Sequence, residues 1–301
     1  MLTGPIPGDA TKGFAIKATA KPVHNRILNE KGRQIMRMIR LARPNPVRIT
    51  GGSGWGKTLL CQMLAARSCV CGGCSVTAER KCSGQEFTVI TGTPGLTVEG
   101  IVGEWSPTKD VVAGDVPIAF KDGPLTEAAR MGKMCFFEEL ARAPIETQSR
   151  LFDILNDTGR TLNIATRDEP VVVHPRFWLI ATENPAGSAG YYSQPMDVAL
   201  MKRFWLHIEI NEPIADEQQV VFGLFGRDAA ATEAAVNWVT DLRRNPSMGI
   251  STRELVMFVK HITAGFTPLE AAVGAIETHY PGASAGSVIR TTTEAHFTAR
   301  L

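Results

Sequence analysis

The chain has 301 residues, 44% of them hydrophobic, which allows one large domain and one small domain with buried cores. Its 32 basic residues nearly balance 30 acidic ones, so the net charge of +2 gives no support for binding to nucleic acid or to an anionic membrane. Because the N-terminus lacks a secretion signal and no run of about 18 apolar residues occurs, we expect a cytoplasmic protein without membrane contact.

The first part of the chain is predicted to be an N-terminal arm over residues 1–28, since most of this segment is rich in Gly, Pro and Lys and shows no hydrophobic period. A helix follows, with an apolar face marked by Ile35, Met38 and Ile39, and it ends before Pro44. Arginines lie on its opposite face. We interpret that face as solvated rather than as a partner site.

The most informative motif follows a short predicted strand over Val47–Thr50. It reads Gly51-Gly52-Ser53-Gly54-Trp55-Gly56-Lys57-Thr58, which is the pattern G-x-x-x-x-G-K-[ST] of a phosphate-binding loop, and a helical apolar spacing begins directly after it. In such loops the backbone N–H groups face the phosphates, the lysine contacts the β- and γ-phosphates, and the threonine hydroxyl binds Mg²⁺. The motif predicts binding of a nucleoside triphosphate.

Further strands are predicted over Phe87–Thr91, Met134–Phe137 and Phe177–Thr182, and helical segments alternate with them. This alternation predicts an α/β fold with a parallel sheet covered by helices. Two short β-rich runs between residues 160 and 174 are predicted to form a hairpin.

The strand signal disappears after about Glu212, and helical segments rich in Ala, Leu and Val continue almost to the end of the chain. We therefore expect a nucleotide-binding α/β domain over residues 29–212 and a small all-α domain over residues 213–301.

Two acidic residues, Glu138 and Glu139, follow the predicted strand that ends at Phe137. Its apolar residues predict a buried central strand, and parallel sheets bind ligands at the carboxyl ends of such strands. The first carboxylate can orient Mg²⁺ and the second can polarise an attacking water. The alternative, a solvated Glu-Glu turn, is less favourable with a phosphate-binding loop upstream.

The run from Phe136 to Gln148 resembles the Walker B region of MoxR-like AAA+ ATPases. The chain is also similar to the CbbQ/NirQ-type and gas-vesicle GvpN-type branch, and the likeness covers nearly everything from about Asn29. Phe120–Leu125 and Ile180–Pro185 are similar to the segment before Walker B and to the sensor 1 strand. The resemblance implies a P-loop AAA+ core with a small helical lid domain, and ATP and Mg²⁺ as cofactors. It also implies ATP hydrolysis by a ring, expected to be a hexamer, that remodels a protein partner such as one with a von Willebrand A domain.

The resemblance also assigns roles to three further residues. Asn184 matches sensor 1, which would hydrogen-bond the γ-phosphate and the lytic water. Arg203 lies where the family has Leu-Asp-Arg-Phe and would be the arginine finger that reaches the neighbouring subunit's nucleotide. Arg253 matches sensor 2, the lid arginine that contacts the γ-phosphate in its own subunit. For either arginine the alternative is a surface ion pair.

One departure from the family is Glu138, which stands where Asp is usual and extends one methylene further. We expect hydrolysis to continue at a reduced rate. This residue keeps open a second function, a nucleotide-gated assembly scaffold with little turnover. A third, a nucleic-acid motor or loader of the AAA+ superfamily, has the near-neutral charge against it.

The other departure is an apparent insertion over residues 68–84 that contains Cys69, Cys71, Cys74 and Cys82. The turn Cys71-Gly72-Gly73-Cys74 is typical of a zinc knuckle, and two further thiolates complete a tetrahedral Zn²⁺ site. The alternative is a loop of reduced cysteines. We favour zinc because so small and polar an insertion has little else to fold around.

This interpretation predicts one structural Zn²⁺ per subunit, since four sulfur ligands leave no open coordination position. Removing Cys71 and Cys74 together is expected to lower thermal stability or ring assembly. Elemental analysis of protein purified without chelator or a metal-affinity step tests the prediction. Substoichiometric zinc, with four thiols freely titratable in the folded protein, would contradict it.

Overall fold

The computed structural model of the protein describes residues 16–19, 28–67, 86–107, 118–156, 160–164, 170–185, 196–245, 248–280 and 282–297. The four cysteines of the predicted zinc site, Cys69, Cys71, Cys74 and Cys82, lie outside these ranges. The zinc site therefore stays a prediction.

The described residues form strands and helices in the following order along the chain. The strands are β1 (Ile16–Thr19), β2 (Val47–Gly51), β3 (Glu86–Thr91), β4 (Gly103–Pro107), β5 (Ile118–Asp122), β6 (Met134–Glu138), β7 (Thr161–Leu162), β8 (Val171–Val172), β9 (Trp178–Glu183) and β10 (Leu206–Ile210). The helices are α1 (Glu30–Ala42), α2 (Lys57–Arg67), α3 (Val98–Val102), α4 (Pro124–Met131), α5 (Ile145–Ile154), α6 (Val198–Met201), α7 (Glu217–Leu224), α8 (Ala229–Arg243), α9 (Thr252–Thr263), α10 (Pro268–Ala275) and α11 (Ala283–Phe297).

The main sheet has the strand order β1-β3-β6-β9-β2-β10. The pairs β3–β6, β6–β9 and β9–β2 are parallel, which confirms the predicted parallel sheet. Every residue of β9 is buried. Strands that are covered on both faces need continuous apolar runs, and for this reason the central strands were recognisable in the sequence.

Strand β1 lies within the N-terminal arm predicted over residues 1–28, where no strand was predicted from the sequence. Ile16–Thr19 pairs antiparallel with β3, with Ile16 opposite Val89 and Thr19 opposite Glu86. An edge strand of four residues is held by backbone hydrogen bonds along one side. It is too short for an alternating pattern to be recognised in the sequence.

Two small hairpins accompany the sheet. The predicted one is β7–β8, in which Thr161 lies opposite Val172. The other, β4–β5, was missed, because its first strand reads Gly-Glu-Trp-Ser-Pro and has no alternation of apolar and polar residues. In it Trp105 lies opposite Phe120, and the two rings meet edge to face with centroids 5.7 Å apart.

The described chain divides into two compact units. The first takes in β1, residues 38–50 and the segments between residues 61 and 208, and the second takes in residues 28–37, 51–60 and the segments from 209 to 297. Domains are defined by independent folding rather than by compactness. The domain boundaries expected from the sequence thus stay a prediction.

The first unit has its own hydrophobic core beside the sheet. Its fully buried members include Leu125 of α4, Phe137 of β6, Leu151 of α5, Leu179 of β9 and Phe177, which precedes β9. Cys135 of β6 is also buried, and desolvation raises the pKa of its thiol to about 12. That thiol is therefore protonated at neutral pH and acts as a small core residue.

The second unit contains the helices α7 to α11, and among its described residues beyond β10 no further strand occurs. Its core centres on Trp238, which stacks on Phe258 with ring centroids 3.8 Å apart. The Trp238 indole N–H donates to the Thr293 hydroxyl at 3.0 Å. The predicted all-α region is confirmed, and Trp238 of α8 contacts α9 through the ring stack and α11 through the hydrogen bond.

Removal of this stack is expected to destabilise the protein strongly. Because Trp238 is fully buried, Trp238→Ala should lower the free energy of unfolding by about 3–5 kcal/mol. Trp238→Phe keeps an aromatic ring and should cost less. Chemical denaturation followed by circular dichroism measures both variants, and an unchanged midpoint for Trp238→Ala would contradict the assignment.

Candidate functional site

The phosphate-binding motif forms the connection between β2 and α2. Gly54 and Gly56 have φ angles of +76° and +100°, in the left-handed region that residues with a Cβ rarely adopt. Consecutive turns of this kind point backbone N–H groups into a concavity that accepts anions. The glycines are therefore needed for the path of the chain itself.

Two of these glycines also lie in close contact with other parts of the second unit. A Cβ at Gly54 would lie 2.7 Å from the Ser251 hydroxyl oxygen, and one at Gly56 would lie 2.9 Å from Cγ1 of Ile214. Real Cβ atoms are not found at such distances. The loop is thus packed directly against residue 214 and against the residue that precedes α9.

Lys57, the first residue of α2, is only 7% exposed. Its ammonium donates to the carbonyl oxygens of Gly51 and Gly52 at 2.6 and 2.9 Å. A cation is unfavourable at the positive end of a helix dipole, and no acidic residue lies in the first turn of α2. A buried lysine and a helix N-terminus together favour an anionic ligand.

The other three loop residues differ in their surroundings. Ser53 and Thr58 are exposed. Trp55 lays its ring against Gly52, where a Cβ would lie 2.8 Å from the indole carbons. Within the described residues the buried Trp55 Nε1 has no hydrogen-bond partner, and nothing in the structure explains this.

Glu138 and Glu139 lie at the carboxyl end of β6 and are both half-buried. Glu139 has φ 53° and ψ 44°, the left-handed conformation. For a residue with a side chain this conformation costs on the order of 1–3 kcal/mol and persists only where the surrounding structure enforces it. Such residues are concentrated at functional sites.

Asn184 directly follows β9 and is buried, with 7% exposure. Its side-chain amide donates to both carboxylate oxygens of Glu139, at 2.9 and 3.1 Å. The contact follows from the sheet, since β6 and β9 are parallel neighbours with Phe137 opposite Ala181. The structure thus brings together two residues that the sequence placed in one site.

A polar pair beside this contact was not found from the sequence. Arg48 of β2 forms an ion pair with Glu183, the residue before Asn184, and both side chains are largely buried. Glu183 also lies opposite Thr50, the last residue before the loop. A charged residue inside the predicted strand Val-Arg-Ile-Thr was the sequence signal for such a pair. Its partner could not be identified from the sequence, because it lies 135 residues away.

Arg253 is the second residue of α9, which begins after the N-cap Ser251. Ser251 and Glu254 form the predicted capping box, with the Ser251 backbone N–H donating to Glu254 Oε2 at 2.7 Å. A Cβ at Gly54 would lie 3.2 Å from Cβ of Arg253. Within the second unit, Cβ of the predicted sensor 2 arginine therefore lies close to the phosphate-binding loop.

Arg203 lies in the first unit and is exposed. Its guanidinium donates to the Ala199 carbonyl at 3.0 Å and lies 4.6 Å from the centroid of the Phe152 ring. Together with Arg160 and Lys202 it lines a surface cavity of about 310 Å³. Three cations at one cavity favour a negatively charged occupant.

The sequence profile of the AAA domain (dynein-related subfamily) matches residues 46–204, more than half of the chain. This range contains the phosphate-binding loop, both Walker B glutamates, Asn184 and Arg203. The chain belongs to the AAA+ ATPases. ATP hydrolysis is the general activity of this family, so the protein is an ATPase.

Two relatives support the predicted branch of the family. The chain is 27% identical over 232 residues to the protein CbbQ of Hydrogenophilus thermoluteolus, which covers 75% of this chain and 77% of that protein. It is 29% identical over 163 residues to the denitrification regulatory protein NirQ of Stutzerimonas stutzeri, covering 52% of this chain and 58% of that one. The resemblance to MoxR-like AAA+ ATPases is confirmed.

A solved structure supports the fold of this AAA+ chain. The crystal structure of NtrX from Brucella abortus in complex with ATP matches with a TM-score of 0.50 at 15% sequence identity, over 91% of this chain and 70% of that one. At this identity the likeness concerns the fold alone. It agrees with an α/β core followed by helices.

Within the described ranges no group of three or more His, Cys, Asp and Glu side chains could hold a metal ion. No described helix is both long and apolar enough to cross a membrane.

The buried position of Lys57 predicts a strict requirement for its charge in nucleotide binding. Lys57→Ala should weaken ATP binding by a factor on the order of 100 or more, because the anion loses a desolvated cation. Titration calorimetry measures the affinity. Lys31→Ala serves as control, because Lys31 is exposed in a surface ion pair with Glu212. Equal affinities for the two variants would contradict the assignment.

Proposed function

We propose that the protein is a ring-forming MoxR-like ATPase that remodels or activates a protein partner, with Glu139 as the residue that activates water. Family membership supplies the general activity. The observation that carries the catalytic assignment is the pair of hydrogen bonds from Asn184 to the carboxylate of Glu139.

These hydrogen bonds suit Glu139 to the role of base. Asn184 holds the carboxylate at the end of β6, where a carboxylate oxygen can accept a proton from water as that water attacks the γ-phosphate. The amide of Asn184 contributes orientation rather than charge. Both side chains come from rigid, adjacent strands, and such positions hold geometry better than mobile loops do.

The family implies ATP with Mg²⁺, and the donor set of the chain fits both. Gly54 and Gly56 have the left-handed φ angles of an anion-binding loop, and Lys57 supplies the buried charge. Thr58 and Glu138 are the proposed oxygen ligands for Mg²⁺, which prefers hydroxyl, carboxylate and water oxygens. The bound ion would neutralise phosphate charge during transfer. Arg253 would contact the γ-phosphate from α9.

Arg203 is proposed to act on the nucleotide of a neighbouring subunit. Its guanidinium is exposed, and within the described residues it forms no ion pair, which weighs against the surface-pair alternative. Lys202 stands where the family has Asp and adds a second cation at the same cavity. Family members are typically oligomeric rings, and we propose a hexamer here.

The partner is proposed to be a cytoplasmic protein, for which a von Willebrand A domain is the candidate that the resemblance implies. The charge balance gives no support for nucleic acid. Co-purification with Glu139→Gln protein in the presence of ATP would identify the partner.

A second function, the nucleotide-gated scaffold, is favoured by one residue. Glu138 replaces the usual Asp, and its longer side chain changes the distance from strand to metal by one methylene. If turnover is very slow, ATP binding alone would control assembly. The turnover number of the wild-type protein, with and without partner, separates the two functions.

The first prediction from this proposal concerns chemistry. Glu139→Gln should retain ATP affinity and lower the rate of hydrolysis by a factor on the order of 100 or more, because an amide cannot accept the proton. Phosphate release under saturating ATP measures the rate. Glu138→Asp is a second variant for comparison. It restores the usual family residue and should hydrolyse ATP at least as fast as the wild type. Wild-type hydrolysis by Glu139→Gln would disprove the role.

The second prediction concerns sharing of sites between subunits. Arg203→Ala protein should bind ATP normally but hydrolyse it poorly, because the phosphoryl charge lacks its cation. Mixing Arg203→Ala with Lys57→Ala subunits should restore part of the activity, since some interfaces then combine an intact loop with an intact arginine. The measured quantity is the activity of mixtures over a range of ratios. A fully active Arg203→Ala monomer would show that the arginine is only a surface residue.

A further inference from the structure

Gly92, the residue that follows β3, lies directly against the backbone of Glu139. Its N–H donates to the Glu138 carbonyl oxygen at 2.7 Å. A Cβ at Gly92 would overlap the carbonyl oxygen of Glu139, lie 2.9 Å from its carbonyl carbon and lie 3.3 Å from the Ala143 nitrogen. No side chain larger than hydrogen fits here without a shift of backbone atoms.

The structure requires glycine at position 92 because no space is left for a side chain, and not because of the backbone conformation there. Gly92 is not among the glycines with φ in the left-handed region, so its backbone angles suit other residues. It is buried, and all the nearest atoms belong to the backbone of residues 139 and 143. Backbone atoms cannot rotate away as the end of a long side chain can.

The backbone that Gly92 contacts is the strained part of the site. The Glu139 carbonyl accepts a hydrogen bond from the Arg142 N–H at 2.9 Å, within a short 3₁₀ turn over Leu140–Arg142. This carbonyl is therefore held between that turn and Gly92. Displacement of the carbonyl would change the φ and ψ angles of Glu139, and with them the direction of its carboxylate.

We propose that Gly92 is a positioning residue for ATP hydrolysis, because its missing side chain allows the left-handed conformation that presents the Glu139 carboxylate to Asn184. The inference rests on the proposed role of Glu139 as the base. The role proposed for Gly92 requires no contact of its own with nucleotide or water. Its effect should therefore appear in the chemical step and not in the affinity for ATP.

The test compares Gly92→Ala with Gly95→Ala. Gly95 lies in the same connection, is exposed, and a Cβ there would have no neighbour within 4 Å. We expect Gly92→Ala to lower kcat by about 10- to 100-fold, the effect of a displacement near 1 Å, with ATP affinity unchanged within about twofold. Gly95→Ala should behave as wild type in both measurements.

A double variant shows whether Gly92 acts through Glu139. In the Glu139→Gln background, Gly92→Ala should reduce the residual rate by less than about twofold, because the group that it positions is already inactive. Independent, multiplicative effects would overturn the proposal. Loss of ATP binding by Gly92→Ala, through misfolding or otherwise, would also overturn it, since the role would then be structural.

The same set of proteins separates this inference from the proposed function. If Glu139→Gln hydrolyses ATP like the wild type, the base itself is wrongly assigned. If Glu139→Gln is inactive but Gly92→Ala retains the wild-type kcat, the base stands and the positioning role of Gly92 fails.

Discussion

The parallel pairing of β6 with β9 is the constraint on which the contact between Asn184 and Glu139 depends. It fixes Phe137 opposite Ala181, so that the next residues of both strands emerge at the same edge of the sheet. A slip of one residue would turn Asn184 to the other face. Buried aromatic and aliphatic residues on both strands make such a slip costly, and the core thereby protects the geometry of the carboxylate.

The phosphate-binding loop depends on a different balance, between burial and charge. Lys57 loses water on burial and donates hydrogen bonds to the loop carbonyls of Gly51 and Gly52, at a helix end that repels cations. A buried cation beside a helix N-terminus is a setting that favours a bound phosphate group. The close packing of Gly54 against Ser251 adds a geometric condition, because the loop and the N-terminus of α9 cannot move independently at that point.

The central strands were predicted well from the sequence, since strands that are buried on both faces consist of nearly continuous apolar residues. Glu139 was found from its position after a predicted buried strand and Asn184 through family resemblance, and the register of the sheet explains why they meet. The left-handed conformation of Glu139 could not be predicted, because a residue with a side chain gives no sequence signal for it and the Gly92 backbone that it lies against is far away in the sequence. Strand β1 was missed for lack of a pattern, and the ion pair of Arg48 was missed for lack of a visible partner.

The packing of Arg203 on Phe152 has a consequence for the proposed ring assembly. An exposed arginine normally samples many rotamers, and fixing it at an interface costs conformational entropy. Here the guanidinium already rests on an aromatic face and donates to the Ala199 carbonyl, so much of that freedom is lost when the subunit folds. A subunit built in this way presents its cation in a fixed direction before any neighbour arrives. Lysine, without a planar group to stack, could supply the charge but not the direction.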